Sequence, residues 1–131
     1  GAAECNATAA GYYFVAANQS AAPCPAGYYS AMGVRTCSMC TAGSYSGTAS
    51  ASCTTCPAGK YQDEDGSGAC KDLPGGYASS TTGLTAYTTA TKCHNGKYAN
   101  ESGSTTCSIA DQGYYVPSSS VGQSYQRPCP L

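Results

Sequence analysis

Tyr13, Tyr29, Tyr45, Tyr61 and Tyr77 stand at a constant interval of 16 residues, the first four each two residues beyond a glycine, and cysteines keep step with them. A fixed short period means that one small structure recurs and that each copy buries its apolar face against its neighbours. The expectation is a function carried by the array and not by a single catalytic pocket. The period slips once, between Tyr77 and Tyr98, where the interval widens to 21 residues.

The repeat has to be held together by something other than a conventional core. Among 131 residues there are four Val, three Leu, one Ile, one Phe, two Met and no Trp, whereas Ala, Ser, Thr and Gly supply 68. Such small side chains bury too little area, at about 25 cal/mol per Å², to offset the entropy of ordering the chain. Twelve Tyr and ten Cys remain to do it. Small domains short of core are stapled by disulfides, which persist in oxidising compartments, so the composition points to the cell surface or the extracellular space.

Aligned on the glycine, the copies fall into two kinds. Cys24-Pro25-Ala26-Gly27-Tyr28-Tyr29 runs to Cys37, Cys40-Thr41-Ala42-Gly43-Ser44-Tyr45 to Cys53, Cys56-Pro57-Ala58-Gly59-Lys60-Tyr61 to Cys70, and Cys93-His94-Asn95-Gly96-Lys97-Tyr98 to Cys107. The copies around Gly11, Gly76 and Gly113 lack a cysteine pair of their own. This divides the chain into a cysteine-poor repeat over 1–23 preceded by the closing end of a truncated unit, three bridged repeats over 24–72, and a Ser/Thr-rich unbridged repeat over 73–92. A bridged repeat over 93–109 follows, then an unbridged repeat with the start of a further unit over 110–131.

Each bridged copy reads as a small hairpin. Its glycine permits a tight entry turn, the aromatic residue starts a short strand, and Met32-Gly33 or Asp65-Gly66-Ser67-Gly68 turns the chain back. If equivalent cysteines pair equivalently, the bridges are Cys24 with Cys37, Cys40 with Cys53, Cys56 with Cys70 and Cys93 with Cys107. Each such loop is worth about 3 kcal/mol in the chain-entropy model. Cys5 and Cys129 are then left for inter-unit or intersubunit bridges: Cys5 has the setting of a closing cysteine, and Pro128-Cys129-Pro130 repeats Pro23-Cys24-Pro25. The reading is a segment of a longer array, or a subunit linked to its neighbours through these two thiols. The alternative pairs Cys5 with Cys24, Cys70 with Cys93 and Cys107 with Cys129 and uses all ten cysteines.

The pattern Cys-Pro-Ala-Gly-x-Tyr followed by seven or eight residues and, from Cys37 and Cys53, Cys-x-x-Cys resembles the cysteine-rich repeats of tumour-necrosis-factor receptors and the ephrin-receptor-like repeat of extracellular proteins. The likeness is fullest from Cys24 to Cys70 and extends to Cys93–Cys107. In the receptor repeats the first two cysteines of a module bridge each other, which implies the pairing by equivalence. In composition the chain is also similar to protist or algal surface-coat and mastigoneme-like flagellar hair proteins. The fold class expected is small and disulfide-rich, mostly irregular with short β-hairpins, stacked into an elongated, solenoid-like tandem-repeat rod. The packing residues are Tyr13, Tyr29, Tyr45, Tyr61, Tyr77, Tyr98 and Tyr115. In the paired tyrosines Tyr12-Tyr13, Tyr28-Tyr29 and Tyr114-Tyr115, one ring is expected to face inward and one outward, since neighbouring strand residues point to opposite sides.

Three of the four asparagines, Asn6, Asn18 and Asn100, begin an N-glycosylation acceptor. Hydroxyl-rich tracts make Thr81, Thr82, Thr88, Thr89, Ser118, Ser119 and Ser120 candidate O-glycan carriers. Glycans would supply the solubility that 13 charged residues do not. The net charge is −1 and the six Lys and Arg are scattered, so no basic stripe suits nucleic acid, and no apolar run is long enough to span a bilayer.

Three motifs carry competing chemistry. Cys37, Cys40, Cys53 and Cys56 have the spacing of a zinc knuckle, although abutting repeats generate the same spacing. Asp63-x-Asp65-x-Ser67-Gly68 begins like a calcium loop, but position 12 is Pro74 where a bidentate Glu is required. His94 beside Cys93 would need a free thiol to act as a nucleophilic pair. No catalytic residue, metal or cofactor is therefore expected. The reading is a structural component of an extracellular glycosylated filament or coat that self-associates, with a ligand-binding receptor or adhesion ectodomain as the alternative and a zinc module behind both.

Overall fold

A computed structural model describes residues 8–94, 96–117 and 123–130. Seven antiparallel hairpins follow one another along the chain. The first pairs β1 (Tyr12–Val15) with β2 (Ser20–Pro23), the second β3 (Tyr28–Tyr29) with β4 (Ser38–Met39), and the third β5 (Ser44–Tyr45) with β6 (Thr54–Thr55). The fourth pairs β7 (Lys60–Tyr61) with β8 (Lys71–Asp72), and the fifth β9 (Tyr77–Ala78) with β10 (Thr91–Lys92). The sixth pairs β11 (Lys97–Tyr98) with β12 (Ser108–Ile109), and the seventh β13 (Tyr114–Tyr115) with β14 (Arg127–Pro128). The described residues contain no α-helix, only a 3₁₀ turn at Tyr87–Thr89. The chain is thus small, disulfide-rich and mostly irregular, built of short two-stranded hairpins.

The entry to each hairpin is a four-residue turn. In the second, the Tyr28 amide donates to the Pro25 carbonyl at 3.1 Å, and Gly27 at the third position has φ +88°, the geometry of a type II turn. The same bond recurs as Ser44 to Thr41, Lys60 to Pro57 and Tyr77 to Pro74. The residue after the returning strand then closes the hairpin: the Cys40 amide donates to the Gly27 carbonyl at 2.8 Å and the Cys56 amide to Gly43 at 2.9 Å.

By contacts the chain divides into two compact units, residues 1–56 with 62–70, and residues 57–61 with 71–131. In the first, each entry-turn glycine donates its amide to the third residue past the next entry-turn glycine: Gly11 to Ser30, Gly27 to Ser46 and Gly43 to Gln62, at 2.7–2.9 Å. The buried hydroxyls of Ser30 and Ser46 reinforce this by donating to the carbonyls of Tyr12 and Tyr28 in the preceding hairpin. Buried Gln62 instead turns its Nε2 onto the Ala69 carbonyl of its own hairpin tip. With polar groups so satisfied, three bridges serve as the core. They are Cys24–Cys37, Cys40–Cys53 and Cys56–Cys70, with the first cysteine of each buried.

The second unit repeats the register, Gly59 to Ser79 and Gly76 to Ala99, at 3.0 and 2.8 Å. It has two small cores. Around Cys93–Cys107 pack Ala78 and Ala99, and elsewhere Leu73, Tyr77, Leu84 and Ala90 cluster against Tyr61. Leu73 holds the place of an opening cysteine, because its amide donates to Gly59 as those of Cys40 and Cys56 donate to Gly27 and Gly43. Ala90 stands three residues before Cys93, as Cys37 stands before Cys40. An aliphatic pair thus fills the site of a bridge in the fifth hairpin. The wide interval after Tyr77 belongs to this same hairpin, whose added residues form the 3₁₀ turn that sets Tyr87 edge-on to Tyr77 and Tyr61, with centroids 5.3 and 5.9 Å apart.

Candidate functional site

The bridges bear directly on the chemistry open to the chain. All four bridged pairs have Cα atoms 5.7–5.9 Å apart, within the range for an unforced disulfide. The alternative connectivity, with Cys24 to Cys5 and Cys70 to Cys93, is not the one found. The knuckle-spaced Cys37, Cys40, Cys53 and Cys56 are all oxidised and hold no thiolate for zinc, and Cys93 is bridged beside His94. At the acidic hairpin tip, Asp65 Oδ1 accepts the Ala42 amide at 2.8 Å, which spends it on fixing two hairpins together. Cys129 is exposed and unbridged, and its amide donates to Gly113 in the manner of an opening cysteine. Cys5 lies outside the described residues.

The repeat tyrosines differ in burial. Tyr13, Tyr29, Tyr45, Tyr61 and Tyr98 are half-buried, Tyr77 is buried, and Tyr115 is exposed. Tyr29 lines a hollow with Cys40 and Cys53, so it lies beside the bridge of the following hairpin. The expected alternation of paired rings holds only at Tyr12-Tyr13. Tyr28 and Tyr29 are both half-buried, and Tyr114 and Tyr115 are both exposed. A strand of two residues flanked by turns has no continuous sheet face, so neighbouring side chains are not sorted into core and solvent as on a longer strand.

The seventh hairpin is the most open. Gly113, like Gly96 before it, is exposed where Gly11, Gly27, Gly43, Gly59 and Gly76 are buried, and among the described residues neither amide has a backbone acceptor. Beside it lie exposed Tyr114, Tyr115 and Tyr125, and the Arg127 guanidinium, 5.3 Å from the Tyr125 ring, donates to Tyr125 Oη at 3.2 Å. That hydrogen bond, followed by the charge interaction with the same phenol, raises the Arg127 pKa further and keeps it cationic. Gln126 ties the hairpin shut by accepting the Asp111 amide through Oε1 and donating Nε2 to Asp111 Oδ2.

A second feature of this unit is a half-open groove of about 390 Å³ walled by β9, β10, the Cys93–Cys107 bridge and the approach to β12. Hydroxyls line it at positions 79–81, 91 and 105–106, and three basic side chains border it, Lys92, His94 and Lys97. Sequence reading named Thr81 only as a glycan carrier and missed the groove. The one signal available was the run Thr91-Lys92-Cys93-His94-Asn95-Gly96-Lys97, which holds two of the six cations and the sole histidine.

Of the glycan candidates, Asn18 is exposed in the β1–β2 connection, where its Oδ1 accepts the Ser20 hydroxyl, and Asn100 is exposed beyond β11. Thr81, Thr82, Thr88 and Thr89 are exposed, Thr89 Oγ1 donating to the Ala86 carbonyl. Asn6, Ser118, Ser119 and Ser120 lie outside the described residues. No described helix is long and apolar enough to cross a membrane.

Residues 43–93 match the family described as tyrosine-protein kinase ephrin type A/B receptor-like. The match runs from Gly43 through the fifth hairpin to Cys93, so it takes in the hairpin in which Leu73 and Ala90 replace the bridge. No curated protein matches the chain. Over this stretch the chain carries an ephrin-receptor-like cysteine-rich domain with multiple disulfides, a module typical of extracellular proteins.

Proposed function

We propose, from the premise of an extracellular ephrin-receptor-like cysteine-rich module, that this chain is a structural component of a glycosylated filament or cell-surface coat and associates with further copies of the same repeat. The observation that carries the reading is the backbone register itself. Five entry-turn glycines, Gly11, Gly27, Gly43, Gly59 and Gly76, donate to the following hairpin, whereas the exposed amides of Gly96 and Gly113 have no backbone acceptor among the described residues. A hairpin of the same kind is the complementary acceptor, and unpaired backbone donors at an edge favour such templating. Cys129, placed like an opening cysteine, supplies a thiol for covalent linkage, and glycans on Asn18 and Asn100 shield a surface poor in charge.

Sedimentation of the purified chain over a concentration range, with and without reductant, tests this. Association that grows with concentration supports the reading, and reductant-sensitive oligomers add linkage through Cys129. A strict monomer at millimolar concentration counts against it.

The second reading is a receptor or adhesion segment that binds a protein ligand. It is favoured by the exposed group Tyr114, Tyr115, Tyr125 and Arg127, since Tyr and Arg are the residue types enriched where binding energy concentrates. Truncating Tyr115 to Ala separates the two when self-association and capture of a foreign ligand are measured on the same preparation.

A further inference from the structure

We infer that the groove beside the Cys93–Cys107 bridge is a binding site for an acidic saccharide, one bearing carboxylate or sulfate groups. The inference is independent of whether the chain assembles. Arg35 lies over the Phe14 ring at 3.9 Å, Lys60 is paired with Asp72, Lys71 approaches the Tyr61 ring at 5.9 Å, and Arg127 is held by Tyr125. Lys92 and Lys97 are the two that have no side-chain partner among the described residues, and both line this one groove together with the only histidine, His94.

Two unneutralised ammonium groups on one concave wall, with no carboxylate among the lining residues, give a local positive potential on a chain whose net charge is −1. Ligand charge, not chain charge, is what such a wall selects. The remaining lining separates a sugar from a peptide. Six Ser and Thr residues offer hydroxyls that both donate and accept, matching the polyol face of a saccharide. The apolar part is confined to Ala78 and the disulfide, so there is no pocket for the aromatic or aliphatic anchors by which peptides bind. Because no aromatic ring lines the groove, stacking on a sugar face is unavailable and the charge pairs must supply the affinity. Lys92 and Lys97 lie on β10 and β11, which flank Cys93, so the bridge to Cys107 fixes the wall that carries them.

The test is calorimetric titration of the oxidised full chain with a sulfated oligosaccharide, a polyuronate oligosaccharide, neutral dextran of similar length and inorganic sulfate. We expect binding of one or both acidic saccharides, weakening at least tenfold between 20 mM and 200 mM salt, and none of dextran. Lys92→Gln with Lys97→Gln should lower affinity tenfold or more, while Arg35→Gln leaves it unchanged. Amide-resolved NMR of each variant establishes that the hairpins remain folded. Absence of binding by both acidic saccharides, equal affinity in the double variant, or equal binding of dextran overturns the inference. If inorganic sulfate binds as tightly as the saccharides, the hydroxyl wall contributes nothing and the saccharide assignment fails.

Discussion

A β-carbon added to Gly27 would lie 2.1 Å from the carbonyl oxygen of Gly66, 39 positions further along the chain. The glycine at the entry turn is therefore required twice, once by its φ of +88° and once by the backbone of a hairpin tip two copies away. Gly11 meets the Ala49 carbonyl in the same way at 2.1 Å, and Gly59 meets Gly103 at 2.3 Å. At Gly113, with φ +87°, nothing lies within 4 Å.

These two glycines make a controlled comparison. Gly113→Ala is expected to cost only the left-handed backbone penalty of about 1–2 kcal/mol. Gly27→Ala, with the same φ, should cost about 2 kcal/mol more, because the methyl must displace a backbone carbonyl. Denaturant melts of the two variants check this, and equal losses would mean that the tip of the fourth hairpin does not pack on Gly27.

The aliphatic pair in the fifth hairpin invites conversion to the bridge it replaces. Leu73 is fully buried. Leu73→Ala is expected to destabilise by about 2–5 kcal/mol. The double change Leu73→Cys with Ala90→Cys should oxidise to a fifth intramolecular bridge, and a loop of this length is worth about 3 kcal/mol. Thiol titration under denaturing conditions reads the outcome. Two extra free thiols in the double variant would show that positions 73 and 90 are not a bridging pair.

Ala49 sits at φ +56°, where the equivalent tip residues Gly33, Gly66, Gly83 and Gly103 are glycines. Its conformation is strained, yet its amide donates to the Cys24 carbonyl at 2.9 Å, which holds it there. Ala49→Gly should relieve the strain and stabilise by up to about 1 kcal/mol after the added chain entropy is subtracted. A lower melting temperature would refute this.

Removal of one bridge should be felt locally. Cys40→Ser with Cys53→Ser leaves a buried site once filled by sulfur and is expected to cost about 2–5 kcal/mol. Hydrogen exchange should rise first at Ala42, Gly43 and Ser46, whose amides bond to neighbouring hairpins. Uniform protection across the chain would contradict a fold stabilised hairpin by hairpin.

The sequence by itself determined the hairpins and where they start. The Gly-x-Tyr spacing, the shortage of large apolar residues and the turn residues at each tip are local properties, and the two-residue strands, the type II entry turns and the oxidised, core-poor character follow from them. It located the irregular copies but not what fills them, because the substitution of Leu73 and Ala90 for a bridge is visible only when closing hydrogen bonds put the two positions in correspondence. The failed alternation of Tyr28-Tyr29 and Tyr114-Tyr115 has the same origin: burial was decided by what each neighbouring hairpin covers, not by strand parity. Tertiary structure alone decided that Lys92 and Lys97 border one groove while every other cation finds a partner. Lys60 with Asp72 and Lys71 with Tyr61 are facing positions of the fourth hairpin, so strand register places those partners, whereas Lys92 and Lys97 stand on strands of two different hairpins, and only the packing of one hairpin on the next brings both to one groove.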